Sequence, residues 1–203
     1  MIRRLLTLTL IIGLTLITLP QQEAKAKAKT ESTFTVKQAI VKHSIELGID
    51  PALGLSIAKQ ESGFCHDKRS SYGAVGVFQL MPQTARRMGY NPYDRNENIK
   101  GGLTYYKTMY KMFGSVELAL AAYNAGPGNV KKYKGMPPFS ETKRFVSNIM
   151  SEYNYQKTYP DASIRQYNHS TKPAQKPQPP KAPLNQAADK DILLNNFMLT
   201  QAI

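Results

Sequence analysis

From Thr30 to Tyr159 the apolar residues recur at helical spacing, and no run of useful length alternates at the two-residue period of a half-buried strand. Each periodic stretch also ends at a residue that stops a helix. A chain built this way can bury its stripes only helix against helix, so the expected fold is predominantly α, a compact helical domain over residues 30–159. That length is sufficient for a real hydrophobic core.

The punctuation places the helices. The first is expected from Thr35, with Gln38 as a capping-box partner, to about Gly48. Asp50-Pro51 restarts the chain as N-cap and first helical residue, and Gly63 stops it after a stripe containing Leu55 and Ile57. A Ser/Gly-rich loop precedes a short helix over Pro82–Met88. Asn98–Phe113 is the clearest amphipathic segment, with Ile99, Leu103, Tyr106, Tyr110 and Phe113 on one stripe and Gly114 at its end. Ser115 caps an alanine-rich helix to Asn124, whose small side chains allow close packing. Gly126-Pro127-Gly128 breaks it and starts a further turn. Ser140-Glu141 opens the last expected helix, with Phe145, Ile149 and Tyr153 inward.

The ends read differently. Residues 1–28 have the form of a secretory signal: Arg3 and Arg4, an apolar run from Leu5 to Leu19, and small-x-small sites at Ala24-Lys25-Ala26 and Ala26-Lys27-Ala28. The run is short for a bilayer span, so cleavage is favoured over anchoring and no stable membrane span is expected afterwards. The mature protein is then exported, to act in the periplasm, at the wall or outside the cell. Residues 160–203 form a Pro/Lys/Gln-rich linker ending in the apolar Ile192-Leu193-Leu194 and Phe197-Met198-Leu199. Such a tail either docks on a partner or folds back on the domain. The single cysteine, Cys65, excludes an intrachain disulfide.

The net charge of +13 calls for an anionic partner: nucleic acid, a membrane surface or an acidic polymer such as a cell wall. About half of it lies between Glu31 and Tyr159. Apart from Lys131-Lys132-Tyr133-Lys134 the cations are dispersed with few aromatics among them, which argues against a dedicated nucleic-acid groove.

Glu61 is the candidate for chemistry. A glutamate at a helix end is ordinarily solvated. This one leaves an apolar helix and is followed by an uncharged Gly76-Val77-Phe78-Gln79-Leu80-Met81 segment, a setting in which burial raises a carboxyl pKa until it can donate a proton at neutral pH. Asp67, Asp94 and Glu97 stand in polar loop contexts and look solvated.

Four patterns then occur in series: ESGF at Glu61, GAVGVFQLMPQTA at Gly73, NIKGGLTYY at Asn98, and ALAAYNAGPGNV at Ala119 followed by FSETKRFVSNI at Phe139. In this order and spacing the chain resembles the family-1 soluble lytic transglycosylases, enzymes of goose-type lysozyme-like fold that cut bacterial cell-wall glycan. The resemblance implies that Glu61 is the catalytic acid and base. It implies that Ser70, Gly76, Gln79, Met81, Tyr105, Tyr123, Asn124 and Glu141 bind the saccharide, with Tyr123 and Asn124 orienting the carboxyl and the sugar. It implies no metal and no cofactor. The expected substrate is the peptidoglycan glycan strand, and the tail is similar to those of enzymes serving secretion or conjugation machinery. The alternatives are a hydrolytic lysozyme of the same fold and a non-catalytic glycan-binding assembly protein. Two departures from the family pattern stand out: Val77-Phe78 where Leu-Met is common, expected to make a bulkier groove wall, and Phe145 where a tyrosine is usual.

Overall fold

The computed structural model describes residue 30 and residues 32–171. Every extended element among the described residues is a helix. The elements are α1 (32–46), α2 (Pro51–Ser62), α3 (Pro82–Arg87), α4 (Arg95–Phe113), α5 (Val116–Ala125), α6 (Pro127–Lys132), α7 (Ser140–Thr158) and α8 (Ala162–Thr171). Extended pairing among the described residues is limited to the isolated bridges Arg69–Val75 and Val75–Leu80. The predominantly α reading therefore holds.

The helix α5 lies at the centre, packed against α4, α6 and α7, while α2 packs along α7. Ala119, Leu120, Ala121 and Ala122 of α5 are completely buried, as the alanine run required for close backbone approach. Leu55 and Ile57 of α2, Ile99 and Leu103 of α4 and Ile149 of α7 complete the densest part of the core.

Several boundaries differ from those read in the sequence. The helix α1 is already formed at residue 32, so Thr35 sits inside it and not at its cap. Neither glycine nor proline occurs in Ser32-Thr33-Phe34 to prevent this. The helix α4 starts at Arg95, one turn before Asn98, because the Asp94 carboxylate accepts from Glu97 N (2.8 Å) while the Glu97 carboxylate accepts from Asn91 N (2.6 Å). At the other end of α4, Met109 is buried and Tyr110 is exposed, its ring stacked on Tyr106 at 6.3 Å. A tyrosine at the edge of a stripe keeps its hydroxyl wet while its ring covers a neighbour.

The packed unit also runs past Tyr159 to Ser170. Asp161 starts α8 by accepting from Ser163 N (2.9 Å) and ties it to α1 through Lys37 Nζ (2.8 Å). Ile164 and Tyr167 pack against the core. The expected signal segment and the apolar end of the tail lie outside the described residues. Among the described residues no helix is long and apolar enough to cross a membrane.

Candidate active site

The helix α2 delivers Glu61. Asp50 caps its start by accepting from Ala52 N (3.0 Å), and the same side chain accepts from Tyr153 Oη (3.0 Å) and Lys157 Nζ (2.7 Å) of α7. Just before Glu61, Lys59 pairs with Glu152 (2.6 Å), and Gln60 Oε1 accepts from Asn148 Nδ2 (3.3 Å). Polar ties thus bind α2 to α7 near both ends, leaving its last turn little freedom. The helix ends at Gly63, whose φ of 62° is the left-handed conformation that glycine adopts without steric cost.

The loop after α2 folds back over that end. Ser62 Oγ donates to Val77 O (2.8 Å), and Lys68 Nζ donates to the backbone carbonyl of Glu61 (2.6 Å). The bridges between Arg69, Val75 and Leu80 close the loop on itself. Its anchor is Asn98, completely buried in the first turn of α4: Oδ1 accepts from Phe78 N (2.9 Å), and Nδ2 donates to Val75 O (2.9 Å) and Pro92 O (3.0 Å). Gly76 is required beside it, since its φ is +81° and a Cβ there would stand 2.4 Å from Asn98 Nδ2.

Ser70 belongs to this architecture. Its Oγ accepts from Ala74 N (2.9 Å) and its backbone N–H donates to Ala74 O (2.9 Å), pinning the turn that holds Tyr72 86 % exposed. Gln79 takes φ of 44°, uncommon for a residue with a side chain, and its amide donates to Gly76 O (2.9 Å) and Lys68 O (3.2 Å). The expected bulky wall at Phe78 is not formed. Its side chain is wholly buried in the core, where a Cβ on Gly102 would come within 2.3 Å of it, so the glycine in α4 makes room for the ring.

The opposite side comes from α4, α5 and α7. The Tyr105 and Tyr123 rings lie 5.1 Å apart, tilted by 56°. Tyr123 Oη donates to Phe78 O (2.8 Å), joining α5 to the loop. Its own deprotonation is strongly opposed, first by burial and then by the nearby Glu61 carboxyl and Tyr105. Asn124 is exposed, and its Oδ1 accepts from Thr142 Oγ1 of α7 (2.8 Å). Glu141 is exposed in the first turn of α7, and Met81 is 45 % exposed just before α3.

Burial raises the Glu61 carboxyl from 4.5 to about 8, against a smaller opposing pull from Lys68. Among the described residues, no hydrogen bond reaches that carboxyl. Tyr123 stands near the Glu61 carboxyl, but its hydroxyl donates to Phe78 O, and Asn124 Oδ1 accepts from Thr142 Oγ1. They shape the site without gripping the acid. A polar hollow of about 740 Å³ between α2 and α7, lined in part by Lys59, Asn148, Glu152 and Tyr155, provides a contrast. Burial there also acts on a carboxyl, Glu152, yet hydrogen bonds from Lys59 and Gln156 carry it below its ordinary range. Of the carboxyls among the described residues whose ionisation this fold displaces, Glu61 alone moves upward.

Glu61, Gly76, Gln79, Tyr105 and Tyr123 thus fall on one interlocked set of elements. Asn124 and Glu141 stand where α5 meets α7, and Ser70 and Met81 flank the loop. The residues that sequence reasoning missed are the ones behind them: Ser62, Lys68, Asn98 and Thr142. Only Asn98 left a signal, as a polar side chain one position before the apolar stripe of α4.

The Transglycosylase SLT domain family matches residues 38–146, more than half of the chain. The soluble lytic murein transglycosylase of Escherichia coli K12 is 33% identical over 128 residues, covering 51% of this chain and 20% of that protein. The transglycosylase of Enterobacteria phage PRD1 is 31% identical over 112 residues, covering 55% and 40%. The chain therefore spans about a fifth to two fifths of these relatives. Among solved structures, an inactive mutant of lytic transglycosylase Slt from Pseudomonas aeruginosa superposes with a TM-score of 0.54 at 30% identity, over 62% of this chain and 25% of that one. The 70-kDa soluble lytic transglycosylase in complex with bulgecin A gives 0.55 at 29%, over 62% and 25%. With its motifs, helices and family match in agreement, the chain belongs to the Transglycosylase SLT domain family.

Proposed function

We propose that this protein is a peptidoglycan lytic transglycosylase that cleaves the β-1,4 bond between N-acetylmuramic acid and N-acetylglucosamine without water, leaving a 1,6-anhydromuramoyl end. The observation that carries the reading is Glu61: a carboxyl held protonated near neutral pH by burial, with the pull of the Lys68 cation too small to reverse it. Glycosidases that use water commonly need a second carboxylate, about 5 Å away for retention or roughly 6.5–9.5 Å for inversion. One acid suffices if the substrate supplies its own nucleophile.

In the proposed sequence Glu61 gives its proton to the glycosidic oxygen as the bond to the anomeric carbon breaks. The substrate's acetamido group steadies the positive charge at that carbon. The Glu61 carboxylate then takes the proton of the C6 hydroxyl as its oxygen bonds to the anomeric carbon. Atoms balance with no water consumed, and Glu61 returns to its starting state. General acid–base assistance of this kind is worth about 10²–10⁴-fold, and holding the sugar in place adds more. Gln79, Met81, Tyr105, Asn124 and Glu141 are the proposed saccharide contacts. Gly76 and Ser70 hold the loop, and Ser70 retains a hydroxyl proton to donate. We assign the protein to the exported compartment where peptidoglycan lies, with the segment after Ser170 as the element that directs it to a wall-spanning machine.

The test is lysis of purified wall sacculi by the full chain and by Glu61→Gln. The reading requires lysis by the first, none by the second, and identical circular dichroism spectra. Lysis by Glu61→Gln at the wild-type rate would reject it.

A further inference from the structure

Lys68 is an exposed cation seven residues after Glu61, and both its side chain and its backbone are tied into the site. Its Nζ donates to the Glu61 carbonyl (2.6 Å), in the last turn of α2, where carbonyls have no partner within the helix. Its own carbonyl accepts from Gly76 N (3.0 Å), Gln79 Nε2 (3.2 Å) and Arg69 Nη1 (2.9 Å). One residue therefore joins the helix that carries the acid to the loop that carries Gly76 and Gln79. Replacing its side chain leaves the hydrogen bonds to its carbonyl in place.

Charge points the same way. The proposed reaction needs Glu61 in two states, a neutral acid that gives a proton and a carboxylate that takes one back. Burial favours the first and penalises the second, and the negative end of the α2 dipole adds to that penalty. Among the described residues the cation that acts on this carboxyl is Lys68. The other groups around it offer no compensation. Tyr123 of α5 is a neutral phenol committed to Phe78 O, with the Tyr105 ring of α4 against it. On α7, Glu152 and Lys157 are taken up by Lys59 and Asp50, and Glu141 is exposed. Lys68 enters none of the ion pairs among the described residues, so no other acid neutralises its charge.

We propose that Lys68 is the positioning residue of Glu61: it ties the last turn of α2 to the loop and stabilises the carboxylate left after proton donation, so that the same group can act as base. The inference rests on the transglycosylase reading above and adds a residue that the reading does not contain. An exposed amine suits the part. A buried ammonium beside Glu61 would hold the carboxylate ionised at neutral pH and abolish the acid. Water weakens the field of an exposed one, which then eases the second proton transfer without preventing the first.

The experiment compares the full chain with Lys68→Met and Lys68→Arg. Methionine keeps the apolar stem without charge or donor, and arginine keeps both. Carbon NMR of chains labelled at the glutamate carboxyls reads the Glu61 titration midpoint, the signal being identified by its loss in Glu61→Gln. Cleavage of soluble glycan strands across the same pH range gives kcat and KM. Removing a cation makes the proton harder to lose. In Lys68→Met the midpoint, and with it the alkaline decline of cleavage, is expected to move up by roughly half to one pH unit. There kcat at neutral pH is expected to fall about three- to tenfold, with KM little changed. Lys68→Arg is expected to restore both. An unmoved midpoint or an unchanged kcat in Lys68→Met overturns the proposal, and so does an arginine variant as altered as the methionine one. A merely structural lysine would lower activity without moving the midpoint. The two readings fail separately. Glycan cleaved by chains whose midpoint ignores Lys68 removes only this inference, and a midpoint that follows Lys68 in a wild-type chain that cleaves nothing removes the enzymatic reading.

Discussion

At the scale of the residue, Glu61 is held at a cost. Its carboxyl titrates near 4.5 when the chain is unfolded and at about 8 in the fold, so the folded state binds the proton more tightly. The unfolded chain loses its proton first as pH rises, so stability falls progressively between those two values. Glu61→Gln removes the titration. The variant is therefore expected to be more stable than wild type at pH 8, by on the order of 4 kcal/mol, and to show no such difference at pH 4. Chemical denaturation at the two pH values measures this directly, and equal differences at both would show that burial does not tax the carboxylate. In the proposed reaction the same group carries the proton, so cleavage is expected to decline as pH rises through about 8. Tyr123 acts at the same scale. Tyr123→Phe leaves Phe78 O without its donor and is expected to lower stability by about 1–3 kcal/mol, read as a shifted urea midpoint at unchanged slope.

At the scale of the element, the loop between α2 and α3 matters most, and it has almost no regular structure. Asn98 replaces the ladder that a strand would have supplied, satisfying three backbone groups at once. Asn98→Leu is close to it in size but leaves Phe78 N and Pro92 O without this partner in the interior, while Val75 O keeps Leu80 N, and is expected to cost about 3 kcal/mol. A substantially smaller loss would mean that the loop finds other partners.

The difference between this loop and the helices explains what could be read in the sequence. Asp50-Pro51, Ser115 and the terminal Gly63 and Gly114 act within one turn of chain, so their caps were legible and are observed. Glu61 was legible because its helix and its motif are local. The direction of the Phe78 ring was not, because it depends on Gly102, which a different helix brings to it. The partners of Tyr123 and Asn124 were hidden for the same reason. They were expected to point at the acid, yet each answers to a group far along the chain, Phe78 O and Thr142 Oγ1.

At the scale of the whole molecule, α8 is part of the folded unit although the chain before it looked like the start of a linker. Lys37–Asp161 and the packing of Ile164 and Tyr167 join it to the core. A chain ending at Tyr159 is expected to lose about 2–3 kcal/mol relative to one ending at Thr171, mostly from apolar surface returned to water. Comparing the melting temperatures of the two truncations decides it, and equal values would make α8 an appendage. The central claim of the proposed function also belongs to this scale: Glu61 serves as both acid and base, and the sugar's own hydroxyl takes the place of water. Digestion of sacculi in water labelled with heavy oxygen tests it most directly. The account predicts muramoyl ends free of the label, each one water lighter than a hydrolytic product. Labelled reducing ends of full mass would contradict it and make this protein a hydrolase.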